Sequence, residues 1–184
     1  MDIIYNLEFH SYWHCGSGLS AGADLDSLTI KDKNGLPFVP GRTIKGLVRD
    51  ALYEIGAEED VINELLGPIP TPEEVRFNEG SQKKGVLFFS NAELSRQEAS
   101  VILKENLLPY TKTSISSTAI GDDGIAKEHS LRKTEVSLPC VLEGKIMDIP
   151  SEEAFLVLKD ALQYIKRLGK GRNRGLGRCT FTIK

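Results

Sequence analysis

The chain is predicted to fold as one α+β domain, and three observations support this class. A strand-like alternation near the N-terminus, two amphipathic helical segments and a short closing strand are distributed along the 184 residues. Their order is strand, helix, strand, excursion, strand, helix, strand, which is the order of a ferredoxin-like, or RRM-like, fold. We therefore expect an antiparallel sheet with two helices on one face and loop insertions between the elements.

The first strand is predicted from an alternation that begins at position 3. Apolar residues fall on odd positions and polar residues on even ones, which is the period of a half-buried strand. The expected core face consists of Ile3, Tyr5, Leu7, Phe9 and Trp13. His10 and His14 fall on the polar face, where either could serve as an acid or base. Solvated histidines without a chemical role are the commoner case.

A glycine- and serine-rich segment over 15–23 is predicted to be a loop that leaves this strand. Its backbone amides could cradle a phosphate group. Asp24 and Asp26 follow it, and Asn34–Gly35 is typical of a hairpin turn.

The first helix is predicted from apolar residues with a helical period between Ile44 and Ile55. Thr43 is the expected N-cap, and Gly56 can end the helix. Lys45 and Arg49 lie four residues apart on the opposite face. They start near the helix N-terminus, where anions are favoured, although a solvated pair of charges is the commoner outcome.

The middle of the chain is less regular. An acidic, proline-containing excursion is expected over about 57–84, followed by a strand over 86–90 and a short helix over 95–104. The region 109–134 is polar and irregular, and long polar loops in compact domains are usually functional or disordered. A strand-like pattern resumes over 135–147.

The second helix is predicted over 151–168 and the last strand over 178–183, and the loop between them is cationic. Glycine lets backbone amides approach a ligand, while Lys and Arg neutralise phosphates, so this composition suits a polyanion. A dinucleotide site is disfavoured because the loop follows a helix and precedes a strand. A solvated, glycine-capped helix end is the alternative. The loop residues are Gly169, Lys170, Gly171, Arg172, Arg174, Gly175 and Gly177.

Overall composition argues against several classes of protein. The net charge is -3, so any nucleic-acid site must come from local patches. Three distant cysteines indicate neither a disulfide framework nor a structural zinc site, which favours a reducing cytoplasm. No apolar run approaches the roughly 18 residues of a membrane span, so we expect a cytoplasmic protein with no membrane partner.

Several motifs resemble those of the RAMP superfamily of CRISPR proteins. The N-terminal motif of that family is similar to Gly22–Asp32 and Gly35–Arg49, which contains a Pro-Gly-x-x-x-Lys-Gly-x-x-Arg element. The loop Gly169–Gly177 resembles the family's glycine-rich motif. The runs 85–94 and 127–135 also resemble family strands, so the likeness covers nearly the whole of 1–184 as a single domain.

The resemblance is greatest to the backbone subunits of type III effector complexes, and it implies a function. It implies a modified ferredoxin-like fold that binds CRISPR RNA and complementary target RNA beside other effector subunits, with a projecting thumb near 109–134. It assigns Asp26 the position of the acid for Mg²⁺-dependent target cleavage, with Asp24 as the close competitor. The residues expected to contact RNA are Arg42, Lys45, Arg49, Gly169, Lys170, Gly171, Arg172, Arg174, Gly175 and Gly177.

Two other functions remain open from the sequence. One is a metal-independent endoribonuclease that processes CRISPR transcripts, with His10 or His14 as the acid or base. The other is a non-catalytic structural subunit that contacts mainly protein.

Overall fold

The computed structural model describes residues 1–20, 25–69 and 84–184. The described residues form four α-helices, one 3-10 turn and six strands. In chain order the elements are β1 (Ile3–Phe9), α1 (Gly41–Glu54), α2 (Glu59–Leu66), β2 (Phe88–Phe89), α3 (Arg96–Lys104), the 3-10 turn (Leu108–Thr111), β3 (Lys112–Ser117), β4 (Arg132–Ser137), β5 (Val141–Met147), α4 (Glu152–Tyr164) and β6 (Cys179–Ile183).

The main sheet has four antiparallel strands in the order β2-β5-β1-β6. Tyr5 of β1 lies opposite Gly144 on one side and Ile183 on the other. The odd residues of β1 are buried, as the alternation predicts, because only one face of the sheet is covered. The predicted α+β class is therefore confirmed, while the finer ferredoxin-like designation stays a prediction.

The core lies between that covered face and the helices α1 and α4. Leu52 of α1 and Leu158 of α4 are fully buried in the same cluster as Leu7 of β1. Each such side chain contributes roughly 1.5–3 kcal/mol through removal from water. Phe9 and Trp13 stack with ring centroids 4.4 Å apart, so Trp13 belongs to the core although β1 ends at Phe9.

Two predicted helix boundaries differ from the structure. Helix α1 begins at Gly41 with Pro40 as its N-cap, and the Thr43 amide donates to the Pro40 carbonyl at 2.9 Å, so Thr43 is not the cap. Helix α4 ends at Tyr164 instead of residue 168, because Ile165 is already extended and Arg167 bridges Arg178. These extended residues start the glycine-rich loop.

The structure contains a second sheet that the sequence does not predict. The region predicted to be irregular contains the hairpin β3–β4, and the strand predicted over 135–147 is divided between two sheets. The division falls at Pro139, which has no amide proton to donate to a ladder. Trp13 joins the two sheets, since its ring stacks on Phe9 of β1 and its backbone pairs with Ser137 of β4. Helix α2 lies within the predicted excursion over 57–84.

Candidate nucleic-acid interface

The loop between α4 and β6 is held in place by its own backbone. The Lys170 amide donates to the His14 carbonyl at 2.9 Å, and the Gly177 amide donates to the Tyr12 carbonyl at 2.8 Å. Gly169, Gly171, Gly175 and Gly177 all have positive φ. A Cβ on Gly177 would stand 1.8 Å from the Leu168 carbonyl oxygen, and one on Gly169 would stand 2.3 Å from the His14 oxygen. Two of the glycines are thus required by close backbone approach.

This rigid loop presents its cations to solvent. Lys170, Arg172 and Arg174 are all exposed. Within 1–20, 25–69 and 84–184, no carboxylate lies at ion-pair distance from these three side chains. Their charge is therefore available to an anionic partner, and phosphate is the anion that such a cluster suits.

The loop faces the β3–β4 hairpin across an open groove of about 620 Å³. The hairpin wall consists of Ile115, Ser117, Thr134 and Val136, and the opposite wall consists of Gly169–Arg174 and Leu176. One wall is thus cationic and the other is apolar and hydroxyl-bearing. An RNA strand has both kinds of surface, phosphates on one side and ribose and base faces on the other.

Asp26 lies beside the same hairpin and is partly engaged in holding it. Its amide donates to the Lys133 carbonyl at 2.9 Å, and its Oδ2 accepts from the Lys133 amide at 2.7 Å. Asp26 is exposed as a residue, so its carboxylate is both held by the hairpin and accessible. The competing residue, Asp24, lies outside the described residues.

The prediction that His14 lies on a polar face is wrong. His14 is only 1% exposed, because β1 ends at Phe9 and the chain then pairs with β4 through Trp13 and Ser137. Nδ1 lies 2.6 Å from the Glu135 carbonyl oxygen and therefore carries the proton that it donates. Nε2 then accepts from the Ser27 hydroxyl at 3.1 Å. Burial, with Lys170 nearby, lowers the pKa of His14 despite the Glu135 carbonyl and charge, which keeps the ring neutral.

His14 thereby connects the segments of the interface. Its ring is hydrogen-bonded to Glu135 of β4 and to Ser27, the residue after Asp26. Its backbone carbonyl accepts from the amide of Lys170 in the glycine-rich loop. A buried ring cannot contact RNA directly. Of the two histidines, only His10 is exposed, with Nε2 2.8 Å from Thr180 Oγ1.

Glu135 is a buried carboxylate that the sequence reading missed as a site residue. It is 4% exposed and accepts from Lys31 Nζ at 2.8 Å and from the Thr29 amide and hydroxyl at 3.2 and 3.1 Å. Burial acts to raise its pKa, but the bonds and charge of Lys31, with Thr29 and Lys112, outweigh it and lower the pKa. No local pattern could reveal this network, because its partners lie more than 100 residues apart in the chain.

The three cations of α1 differ in their environments, and only Arg42 is exposed like those of the loop. Arg42 is exposed in the first turn. Lys45 is half-buried, and burial with the Arg49 charge lowers its pKa. Arg49 Nη2 donates to the Leu66 and Gly67 carbonyls at 3.1 and 2.7 Å, so this guanidinium holds the end of α2. A contact with RNA by Arg42, Lys45 or Arg49 stays a prediction.

The fold and the groove define a class of protein, an α+β domain with a cationic glycine loop opposite a β-hairpin. A model of the RAMP superfamily matches residues 6–180, and the chain belongs to that superfamily. The resemblance noted in the sequence is thus confirmed. A search of curated proteins gives no match.

Solved structures share this fold. A chain of the type III-B Cmr-beta bound to cognate target RNA gives a TM-score of 0.75 at 12% identity, covering 100% of this chain and 97% of that one. A chain of the apo state of type III-B Cmr-beta gives 0.72 with the same identity and coverage. In the described part of the chain, no helix is long and apolar enough to cross a membrane.

Proposed function

We propose that this chain is an RNA-binding subunit of a type III CRISPR effector ribonucleoprotein, in contact with CRISPR RNA, target RNA and other effector subunits. The observation that carries the proposal is the exposed cationic loop facing the β3–β4 hairpin across the groove. Membership of the RAMP superfamily and the fold likeness to type III-B chains support the same assignment.

The groove would bind the RNA backbone without reading its sequence. Lys170, Arg172 and Arg174 neutralise phosphates, and phosphate contacts position a strand but do not specify its bases. The loop backbone is already fixed by its bonds to Tyr12 and His14, so little backbone entropy is lost on binding. Ile115, which is half-buried on the hairpin wall, offers apolar contact to riboses or base faces.

Asp26 is the residue that we propose for target cleavage. The ribose 2′-hydroxyl loses its proton and attacks the adjacent phosphorus. The P–O5′ bond breaks, the leaving 5′-oxygen takes a proton from water, and the products are a 2′,3′-cyclic phosphate and a 5′-hydroxyl. The free oxygen of Asp26 accepts the proton or helps to hold Mg²⁺. When bound, Mg²⁺ would neutralise charge on the phosphate oxygens.

The described residues near Asp26 fit such an ion only in part. Among the described residues, no group of three His, Cys, Asp or Glu side chains is placed to hold a metal. Mg²⁺ commonly binds one or two carboxylates and takes its other ligands from water and substrate phosphates. Asp26 with the RNA itself would meet that need.

The test is binding of labelled CRISPR-repeat RNA to the full chain across a salt series. We expect affinity to fall linearly with log salt, and Arg172→Ala/Arg174→Ala to bind more weakly with a slope shallower by about one to two ions. The matched control is Arg96→Ala/Lys104→Ala on α3, which removes the same charge from exposed positions away from the groove. Its slope should equal that of the wild type.

Two outcomes would overturn the proposed RNA site, and a third would overturn the proposed role of Asp26. Absence of RNA binding by the wild type would favour a subunit that contacts mainly protein. Equal slopes for the two double variants would show that net charge, and not the loop, sets the affinity. Cleavage that survives EDTA and is lost in His10→Ala would instead favour a metal-independent endoribonuclease.

A further inference from the structure

A second groove lies on the other side of the glycine-rich loop. Helix α1 and the segment that follows α4 enclose a space of about 620 Å³. Tyr53 is 42% exposed and Tyr164 is 50% exposed, and both line this space. Asp50 and Glu54 line it from α1, while Lys166, Arg167 and Arg172 line it from the other wall.

The two grooves are connected through the loop. Arg172 and Asn173 line both of them, so these residues form a ridge that each groove shares. A strand held by Arg172 in the groove beside the hairpin can therefore continue into the second groove without leaving the protein surface.

We propose that the second groove binds unstacked bases of single-stranded RNA, with Tyr53 and Tyr164 as stacking surfaces. The inference rests on the proposed RNA-binding function and extends it to a second site. Aromatic side chains beside a cationic track are the usual elements of single-strand binding, because each base can stack whatever its sequence.

The charges of the groove give the strand an orientation. Arg167 and Arg172 attract phosphates, whereas Asp50 and Glu54 repel them. The carboxylates can accept hydrogen bonds from base amino groups, as acidic residues do for cytosine N4. The RNA backbone should therefore follow the cationic wall, with its bases turned toward α1.

A peptide of mixed charge is the main alternative occupant. Two features favour RNA over a peptide. The groove has two half-exposed aromatic side chains, and it shares Arg172 and Asn173 with the groove already assigned to RNA.

The test compares labelled single-stranded RNA oligomers with and without abasic positions, using the full chain over a salt series. We expect Tyr53→Leu/Tyr164→Leu to lose about tenfold to a hundredfold in affinity with an unchanged salt slope, since stacking is not electrostatic. Tyr53→Phe/Tyr164→Phe should keep the wild-type affinity. Tyr110→Leu is the matched control, because Tyr110 is 74% exposed and lines a different groove. Abasic RNA should bind the wild type as weakly as intact RNA binds the leucine variant.

The outcomes separate this inference from the function on which it rests. If the wild type binds RNA and Arg172→Ala/Arg174→Ala reduces the slope, but the leucine variant binds like the wild type, only the second site is overturned. Protection of Tyr53 and Tyr164 by a neighbouring subunit, and not by RNA, would identify a protein partner and overturn it as well. If the wild type binds no RNA, both proposals fail.

Discussion

At the scale of single residues, His14 joins three segments that are far apart in the chain. Its ring holds the Glu135 carbonyl and the Ser27 hydroxyl, and its carbonyl holds the Lys170 amide. One buried neutral imidazole therefore joins the segment that carries Asp26 to the hairpin, while the cationic loop is joined to them through the His14 backbone. Its role is to position the interface and not to contact RNA.

The neutral state of His14 makes stability depend on pH. Its folded pKa lies below the ordinary value of 6.5, so the unfolded chain binds the extra proton and the folded state loses stability as pH falls below about 6.5. Glu135 affects stability at lower pH than His14 does. The stabilisation that it contributes is complete above about pH 4.5 and is lost as pH falls through its lowered pKa.

We therefore expect the free energy of unfolding to fall between pH 7.5 and 5.5, measured by urea denaturation. His14→Gln should be less stable than the wild type at pH 7.5, and its stability should change less over the same interval. An equal decline in both proteins would show that another group is responsible.

The two roles of Asp26 can be separated by substitution. Asp26→Asn keeps a carbonyl oxygen to accept from the Lys133 amide, so its stability should stay near that of the wild type. Asp26→Ala should lose about 1 kcal/mol because that bond is removed. Both should bind RNA, and both should cleave target RNA at least about a hundredfold more slowly.

Unfolding curves and single-turnover cleavage would be measured on the same preparations. If Asp26→Asn cleaved target RNA at the wild-type rate, the carboxylate would have no part in the chemistry. Loss of cleavage by the alanine variant alone would assign Asp26 a purely structural role.

At the scale of elements, the glycine-rich loop offers a matched pair of substitutions. Gly177→Ala should destabilise the protein by about 3 kcal/mol or more, because positive φ and the Leu168 carbonyl both oppose a Cβ. Gly175→Ala should cost only about 1 kcal/mol, since its φ is also positive but no atom lies within 4 Å of the added Cβ. Thermal unfolding would compare them, and equal shifts in Tm would contradict the packing argument.

Elements with a strong local period could be predicted from the sequence, and elements that depend on distant pairing could not. The residues of β1 and α1 alternate with clear periods of 2 and 3.6, so their buried faces were identified. Strands β3 and β4 are polar, and most of their residues are exposed or half-buried, so no apolar alternation marks them.

The same division applies to the candidate site, where local composition could be predicted from the sequence and distant contacts could not. The cations and glycines of the loop are visible as a local composition, and the structure places them together around one groove. The burial of His14 and the network of Glu135 depend on contacts across 121 and 106 residues, for which the sequence holds no local signal. Arg49 is a further example. Its position on the polar face of α1 predicts a contact with phosphate, but it does not reveal the bonds of its guanidinium to the end of α2.

At the scale of the whole molecule, the far end of the hairpin is separable from the core. All residues from 118 to 131 are exposed or half-buried, and none belongs to the core cluster. Replacing 118–131 with an Asn-Gly turn should change Tm by only a few degrees, since the β3–β4 pairing from Lys112 to Ser117 is kept. A drop of more than about 10 °C would mean that the tip supports the fold.

In the proposed function, RNA lies between the glycine-rich loop and the hairpin. The most direct measurement is photocrosslinking of RNA carrying 4-thiouridine at successive positions, with the attached peptides identified by mass spectrometry. We predict crosslinks to peptides that span 169–178 and to peptides from β3 or β4, and their loss in Arg172→Ala/Arg174→Ala at moderate salt. Crosslinks confined to the exposed face of the main sheet or to α3, with the loop unlabelled, would contradict the account.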